Sequence, residues 1–179
     1  AAFASIDILV NNAGLALGTE PVWSTSIADV QQMIGTNVTA LIALTTAVLP
    51  GMRARGKGHV INISSIAGHE AYAGGSVYCA SKHALHAFMK SLRYETFSKN
   101  IRVTVVAPGL VGEGTEFSEV RFKGDAGKAQ ATYTGVEELR ASDCAAQILW
   151  AVRQPKHVNV DFLQLMPTCQ GGATRLHRQ

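Results

Sequence analysis

A tyrosine and a lysine stand four residues apart in the stretch SVYCASKHA, at Tyr78 and Lys82. On a helix this spacing places both side chains on one face. A free phenol has a pKa of about 10 and is a poor base at neutral pH, whereas a cation one helical turn away favours the phenolate. Such a pair could exchange a proton with a bound alcohol or ketone. The spacing alone is common by chance, so the interpretation depends on the rest of the chain.

Two asparagine-containing stretches are candidates for holding a ligand. Asn11, Ala13 and Gly14 lie in the turn NNAG after an apolar stretch, and a glycine there lets the backbone come close to a ligand. Asn37 lies inside a helical pattern, where asparagine is disfavoured, and a helix opened at this point could offer a carbonyl and hold a water. Taken singly, an ordinary turn and a surface asparagine explain these residues at least as well.

Two more candidates follow the next apolar stretches. Ser65 stands thirteen residues before Tyr78, and a serine hydroxyl can donate to a substrate oxygen. Pro108 and Gly109 close the third stretch, where a planar ligand could pack against backbone without side-chain bulk. Each is ordinary by itself. Chance does not explain why all of them fall at the ends of successive apolar stretches.

Short apolar stretches rich in β-branched residues alternate with helical patterns along the chain. The predicted strands, buried on both faces of a parallel sheet, are residues 6–10, 59–63 and 101–107, with 157–160 a weaker fourth candidate. The helical patterns cover residues 27–49, 77–99 and 142–153. This alternation is the signature of βαβ units. Ligands bind at the carboxyl ends of such strands, so the candidate residues should meet there.

Local signals predict where two of the helices begin and where one ends. Ser26 and Asp29 have the arrangement of a capping box before the first helix. That helix should end or kink at Pro50. Ser142 is the expected N-cap of the third helix.

Composition favours a compact protein and excludes several classes of function. The chain has 179 residues, of which 47% are hydrophobic and 16% charged, and its net charge is +3 without a basic run. It is long enough to bury a core, and no nucleic-acid partner is indicated. Three scattered cysteines predict no metal site. No stretch reaches the roughly 18 apolar residues of a membrane span, so a soluble, cytoplasmic protein is expected.

The turn that cradles a dinucleotide phosphate does not occur in this sequence. Rossmann-type sheets carry a G-x-G-x-x-G turn between the first strand and its helix. Residues 1–179 are therefore predicted to be a single, incomplete α/β domain, the C-terminal portion of a Rossmann-type doubly wound parallel sheet lacking its first strands. The glycine-rich segment 109–135 is too long for a simple connection and is predicted to be a substrate or lid loop.

The ordered set of NNAG, a helical asparagine, S-x12-Y-x-x-x-K and PG resembles the short-chain dehydrogenases/reductases over essentially the whole chain. The resemblance implies a Tyr78 that acts as base in alcohol oxidation and as acid in ketone reduction. The catalytic residues that it implies are Asn37, Ser65, Tyr78 and Lys82. The cofactor-binding residues that it implies are Asn11, Ala13, Gly14, Tyr78, Lys82, Pro108, Gly109, Val111 and Thr115, the last standing further from Val111 than is usual in the family.

Several later stretches resemble one subgroup of that family, the NADP-dependent 3-hydroxy acid dehydrogenases that act on serine, allo-threonine and related acids. These stretches are TEF and VRFKGD in segment 109–135, then HVN, MPT and the final HRQ, which also implies a complete C-terminus. The subgroup implies NADP, although the residues that select NAD or NADP precede this sequence, so NAD stays open. A substrate carboxylate needs a cation. Arg121 and Lys123 are the candidates, with solvated loop charges an equal alternative.

Three functions stay open at this point. The first is hydride transfer between NADP(H) and the alcohol or ketone carbon of a small 3-hydroxy acid. The second is reduction of another carbonyl substrate, such as a 3-oxoacyl thioester. The third is a truncated, non-catalytic fragment that acts only in assembly, because members of the family commonly form homodimers or homotetramers through their long helices. No nucleic-acid or membrane partner is expected.

Overall fold

The structure, a computed structural model, describes residues 5–179. Four parallel strands form one sheet in the order β1-β2-β3-β4. Their bounds are β1 (Ile8–Asn11), β2 (Gly58–Ile63), β3 (Ile101–Pro108) and β4 (Phe162–Leu165), and an antiparallel hairpin follows with β5 (Gln170–Gly172) and β6 (Arg175–Leu176). The three main predicted strands are confirmed to within two residues at either end.

The fourth strand lies further along the chain than the predicted 157–160, so that prediction is wrong. At Asn159 the side chain, rather than the backbone, pairs with β3: its Oδ1 accepts from the Val103 N–H at 2.8 Å and its Nδ2 donates to the Val103 carbonyl at 3.0 Å. Backbone pairing with β3 begins only at Phe162, opposite Val105. An apolar pattern in the sequence cannot show that a side chain, rather than the backbone, forms the hydrogen bonds to the neighbouring strand.

Helices cover the sheet and connect its strands. Their bounds are α1 (Ile27–Ile34), α2 (Leu41–Arg55), α3 (Ser76–Thr96), α4 (Phe117–Arg121), α5 (Ala126–Ala131) and α6 (Ala141–Arg153), with 3-10 turns at Val22–Ser24, Ile66–Gly68 and Phe97–Lys99. A π-helical segment, Gly35–Ala40, joins α1 directly to α2. The three predicted helical regions are therefore confirmed, and 109–135 contains two short helices.

The ends of the helices differ in part from the prediction. Ser26 Oγ accepts from the Asp29 N–H at 3.1 Å, as expected of an N-cap. Pro50 does not end its helix, which continues to the left-handed Gly56 at a φ of 62°. Ser142 is not the N-cap of α6, because Asp143 reaches back to accept from the Arg140 N–H at 2.8 Å and the helix starts between them.

The main core lies where the sheet meets α2 and α3. Its buried members are Leu9, Val48, Met52, Val60, Met89, Leu92, Ile101, Val103 and Val105. Burial on both faces is confirmed for β2 and β3 but is wrong for β1. Ile8 and Val10 are 44% and 39% exposed, because the described residues leave that face of β1 uncovered.

One helical stretch, Ile27–Arg55, is long and apolar enough by length and composition to cross a membrane, contrary to the expectation from sequence. Its α2 portion, however, packs against the sheet. Val48 and Met52 are fully buried in the same cluster as Val60 of β2. That is the role of a core helix, for which a high apolar content is expected.

Candidate active site

The loop after β1, the π-helical segment and α3 meet at the carboxyl ends of the strands. A Cβ added to Gly14 would lie 3.3 Å from both Asn37 Oδ1 and Lys82 Nζ. Lys82 Nζ donates to the carbonyl of Ile63, the last residue of β2, at 2.9 Å. Residues far apart in the sequence are thereby brought to one point beside the sheet. A side chain at position 14 would crowd both polar groups.

Asn37 is 1% exposed, so the alternative of a tolerated surface asparagine is wrong. Its Oδ1 accepts from the Leu15 N–H at 2.9 Å, and its Nδ2 donates to the Leu15 carbonyl at 2.8 Å and to Ser81 Oγ at 3.0 Å. The residue lies in the π-helical segment, a local widening of a helix that is frequent at functional sites. Asn37 therefore ties the loop after β1 to α3. The water that it is expected to hold stays a prediction.

Asn37→Ala should destabilise the fold by about 3 kcal/mol, because buried partners at Leu15 and Ser81 lose their hydrogen bonds. Urea unfolding of the variant measures the change in free energy. Thr39→Ala, at an exposed position of the same helical segment, is the matched control. Equal losses in the two variants would contradict this role for Asn37.

Tyr78 and Lys82 both lie on the buried face of α3, at 6% and 4% exposure, with Lys82 Nζ 5.7 Å from the centroid of the Tyr78 ring. Burial raises the pKa of the Tyr78 phenol above its ordinary value. Burial also lowers the pKa of the Lys82 ammonium to about 8. Among the described residues, the Ser65 hydroxyl and the Arg121 guanidinium, rather than Lys82, favour the phenolate. They offset part of the rise in the pKa of Tyr78 that burial causes. At neutral pH the phenol is therefore protonated and poised as an acid.

The two neighbouring serines at the end of β2 have different partners. The Ser65 hydroxyl lowers the pKa of the Tyr78 phenol against the effect of burial, and its Oγ accepts from the Ala67 N–H at 3.1 Å at the start of a 3-10 turn. Ser64 Oγ lies 2.7 Å from His86 Nε2, on α3. The geometry thus brings Ser65 to the phenol, as its spacing predicts, and assigns Ser64 to packing against the helix.

The predicted cofactor-binding residues use their side chains in different ways. Asn11 is buried, and its Nδ2 donates to Asn62 Oδ1 at 2.7 Å and to Thr45 Oγ1 at 3.0 Å, so the donor end of its side chain is occupied by the protein. Ala13 and Gly14 are exposed beyond the end of β1. A cofactor role for these three residues stays a prediction.

The chain after β3 continues as an extended segment. Val111 forms a parallel bridge with Leu139. Thr115 Oγ1 accepts from the Phe117 N–H at 3.2 Å, at the start of α4. The Thr115 hydroxyl is therefore engaged in a local turn, and its contact with a cofactor stays a prediction, as does that of Val111.

Arg121 lies near Tyr78, although it comes from the distant segment 109–135. Its Nε donates to the Gly18 carbonyl at 3.2 Å, and its Nη1 donates to the Tyr72 hydroxyl at 3.1 Å. The guanidinium carbon lies 5.7 Å from the centroid of the Tyr72 ring. The charge of Arg121 also favours the Tyr78 phenolate and lowers the pKa of that phenol against the effect of burial.

Lys123 is directed elsewhere. Its Nζ forms an ion pair with Asp29 Oδ2 at 2.8 Å, on α1. Its backbone has a φ of 53°, and Gly124 follows at 86°, so the chain turns sharply at this point. The two cations that the sequence could not distinguish therefore have separate surroundings, and only Arg121 is near Tyr78.

Sequence reasoning missed two residues of this region. Tyr72 holds Arg121, and Gln170 accepts from the Leu110 N–H at 2.8 Å beside the turn that closes β3. Neither belongs to a periodic pattern or a motif with a chemical meaning. Both partners are distant in the sequence, so no local signal could have identified these contacts.

Comparison with known proteins agrees with the geometry. The family model described as short chain dehydrogenase matches residues 1–125. The NADP-dependent 3-hydroxy acid dehydrogenase YdfG of Escherichia coli (strain K12) is 49% identical over 180 residues, which cover 100% of this chain and 72% of that protein. The NADP-dependent 3-hydroxy acid dehydrogenase of Schizosaccharomyces pombe is 48% identical over 177 residues, covering 99% and 68%.

Solved structures confirm the predicted fold class. The closed form of a serine dehydrogenase complexed with NADP+ superposes with a TM-score of 0.93 at 49% identity, covering 100% of this chain and 72% of that one. A metagenomic short-chain oxidoreductase in complex with NADP gives 0.71 at 29% identity, covering 92% and 62%. The chain therefore belongs to the short-chain dehydrogenase/reductase family, whose members are NAD(P)-dependent oxidoreductases.

Proposed function

We propose that this protein transfers a hydride between NADP(H) and the alcohol or ketone carbon of a small 3-hydroxy acid of the serine or allo-threonine type. The observation that carries the proposal is the arrangement around Tyr78. Its buried phenol lies on the same face of α3 as Lys82, with Lys82 Nζ 5.7 Å from the ring centroid, and the Ser65 hydroxyl and the Arg121 guanidinium both favour its phenolate. One group can exchange a proton with the substrate oxygen while another binds a carboxylate on the same molecule.

The residues beside Lys82 fit a nicotinamide cofactor. Gly14 leaves open the space that a Cβ would fill opposite Lys82 Nζ. The buried ammonium has one protein acceptor among the described residues, the Ile63 carbonyl, which leaves donor capacity for ribose hydroxyls. NADP rather than NAD follows from the relatives, since the dehydrogenases of E. coli and S. pombe are NADP-dependent and the serine dehydrogenase binds NADP+.

Side chains of this protein carry out the proton transfer in the proposed reaction. In ketone reduction the Tyr78 phenol donates its proton to the substrate oxygen, and in alcohol oxidation the phenolate takes the proton from it. The Ser65 hydroxyl donates a hydrogen bond to the same oxygen as charge changes there. The Ser65 hydroxyl and the Arg121 guanidinium stabilise the phenolate once the substrate oxygen has taken the proton, and the Lys82 ammonium is left to bind ribose hydroxyls of the cofactor. The bound nicotinamide supplies or accepts the hydride.

Arg121 is the residue that we assign to the substrate carboxylate. A guanidinium presents a planar fork of donors that suits carboxylates. Nε and Nη1 are used by Gly18 and Tyr72, whereas Nη2 has no acceptor among residues 5–179. The segment 109–135 that carries Arg121 is proposed as the lid, because the backbone carbonyl of Arg121 accepts from the Gly18 N–H at 2.8 Å and so joins the segment to the loop after β1.

Arg121→Ala should raise the KM for a 3-hydroxy acid by about tenfold or more, the equivalent of one charge-assisted hydrogen bond. The KM for NADP and the turnover of the corresponding methyl ester, which has no carboxylate charge, should change little. Lys123→Ala is the matched control, because it removes a cation of the same loop that pairs with Asp29. An unchanged KM for the acid in Arg121→Ala would remove Arg121 from the site.

Assays of the full-length protein test the proposed function as a whole. Oxidation of serine and allo-threonine with NADP should exceed reduction of an acetoacetyl thioester with NADPH. The opposite preference would favour the thioester reductase. Failure of both, with no binding of NADP, would favour a non-catalytic role in assembly. The homodimer or homotetramer, the cytoplasmic location and the single-domain organisation stay predictions.

A further inference from the structure

We propose that Gln170 is a positioning residue that holds the turn at Pro108 and Gly109 in place for the cofactor. The inference rests on the proposed NADP site, at which these two residues are expected to line the nicotinamide. Gln170 begins the hairpin β5–β6, more than sixty positions further along the chain. The hydrogen bonds of its side chain go to Leu110 and Gly172, and none goes to Tyr78 or Lys82 among the described residues. Gln170 would therefore act only through the backbone of the turn.

Both polar atoms of the Gln170 carboxamide are used. Oε1 accepts from the Leu110 N–H at 2.8 Å, and Nε2 donates to the Gly172 carbonyl at 3.1 Å. The side chain is buried. At Gly109 the ladder between β3 and β4 ends with a hydrogen bond to the Leu165 carbonyl at 2.7 Å, so the next N–H, that of Leu110, needs another acceptor. Gln170 supplies it.

Gly109 and Gln170 are complementary in shape. A Cβ added to Gly109 would overlap Gln170 Oε1 and would lie 2.8 Å from Met166 Sδ. The backbone of Gly109 is not in the left-handed region, so the glycine is needed for space rather than for conformation. Position 109 is therefore a glycine because the carboxamide of Gln170 occupies the space that a larger side chain would need.

The segment that carries Gln170 is itself anchored on two sides of the site. The Ala173 N–H donates to the Glu70 carboxylate at 2.8 Å, close after the turn that Ser65 caps. At the other end, Gln179 donates its N–H to the Gly135 carbonyl at 2.9 Å, where segment 109–135 ends. Arg178 adds hydrogen bonds to the carbonyls of Thr132 and Thr134. The C-terminal segment therefore joins the loop after β2, the turn after β3 and the end of the proposed lid.

Loss of the Gln170 acceptor would leave the partly buried Leu110 N–H without this partner and would free the turn to move. Because Gln170 does not touch Tyr78, Ser65 or Lys82 through these bonds, the effect should fall on cofactor binding rather than on proton transfer. This separates a positioning role from a general loss of activity.

The first test is Gln170→Met in the full-length protein, which keeps the volume of the side chain but removes the acceptor. Titration of NADPH by fluorescence should show a dissociation constant raised about tenfold, whereas kcat at saturating cofactor should change less than about threefold. Gln170→Glu, which keeps an oxygen acceptor for the Leu110 N–H, should recover most of the affinity. The control is Gln154→Met, a half-buried glutamine of another segment whose Nε2 donates to the Trp150 carbonyl.

Wild-type affinity in Gln170→Met, or a Gln170→Glu variant as weak as Gln170→Met, would overturn the inference. A double-mutant cycle serves if Gln170→Met does not fold. Gly109→Ala should weaken NADPH binding less in a Gln170→Ala background than in the wild type, because the overlapping carboxamide is gone, and additive effects would overturn the inference. If the wild-type protein binds no NADPH, the proposed function fails as well. Binding that is insensitive to Gln170 defeats this inference alone.

Discussion

Tyr78→Phe is expected to lower kcat by about a thousandfold or more, because in the proposed mechanism the phenol exchanges a proton with the substrate oxygen. The ring should keep its place. It packs in a cluster with Met33 and Cys79, and its centroid lies 5.7 Å from that of Phe117. Phenylalanine keeps these contacts and loses only the hydroxyl. Dissociation constants for NADPH and the substrate should therefore stay close to the wild-type values.

Steady-state kinetics with a 3-hydroxy acid, together with NADPH titration, measure this separation of chemistry from binding. Tyr94→Phe is the matched control, since Tyr94 lies on the same helix but is 65% exposed. A Tyr78→Phe enzyme with near wild-type kcat would show that another group carries the proton. An equal loss in Tyr94→Phe would indicate a general effect on α3.

Lys82→Met is expected to lower kcat by about a hundredfold and to change how stability depends on pH. Burial lowers the pKa of Lys82 from its ordinary value of 10.5 to about 8. Between these two values the unfolded chain holds the proton and the folded protein has released it. Because the unfolded state then binds more protons, the contribution of Lys82 to stability rises with pH across this window.

The expected size of this rise is about 3 kcal/mol between pH 8 and 10.5, at about 1.4 kcal/mol for each unit by which the pKa is lowered. The Met variant should lack it. The lost hydrogen bond to the Ile63 carbonyl adds a cost in the variant that does not depend on pH. Urea unfolding at several pH values should therefore show the wild type gaining stability relative to Lys82→Met as the pH rises.

Lys90→Met tests whether this rise is specific to Lys82, because Lys90 is exposed on the same helix. The difference between wild type and Lys90→Met should stay flat with pH. A flat difference for Lys82→Met as well would contradict the depressed pKa. The same loss of the ammonium should lower kcat/KM above a pH of about 8 in the wild type, because the cation proposed to bind the ribose hydroxyls of the cofactor loses its charge.

Local patterns were sufficient for most of the architecture. β2 and β3 were predicted because β-branched runs buried on both faces are continuous in the sequence. The helix that carries Tyr78 and Lys82 was predicted because a helical face repeats every three to four residues. The spacing from Ser65 to Tyr78 then sufficed to choose the serine that lies at the phenol.

Sequence patterns did not predict the bounds of several elements correctly, because side chains changed where those elements begin or end. Asn159 occupies the place of a strand on β3, and Asp143, rather than Ser142, sets the start of α6. Pro50 lies within its helix, although its missing N–H would ordinarily end one. The partner of Asn159 is the distant Val103 on β3, whereas the partner of Asp143 is Arg140, three residues earlier.

The sequence by itself therefore determined the order of the elements, the placing of Tyr78 and Lys82 on one face of a helix, and the family to which the chain belongs. These follow from short-range spacing, which survives without knowledge of the fold. Only the tertiary structure decided how the phenol is tuned, because burial depends on everything packed around it. It also decided that Arg121 faces the site while Lys123 pairs with Asp29, and that Gln170 supports the turn at Gly109. Such contacts join residues whose separation along the chain carries no periodic signal.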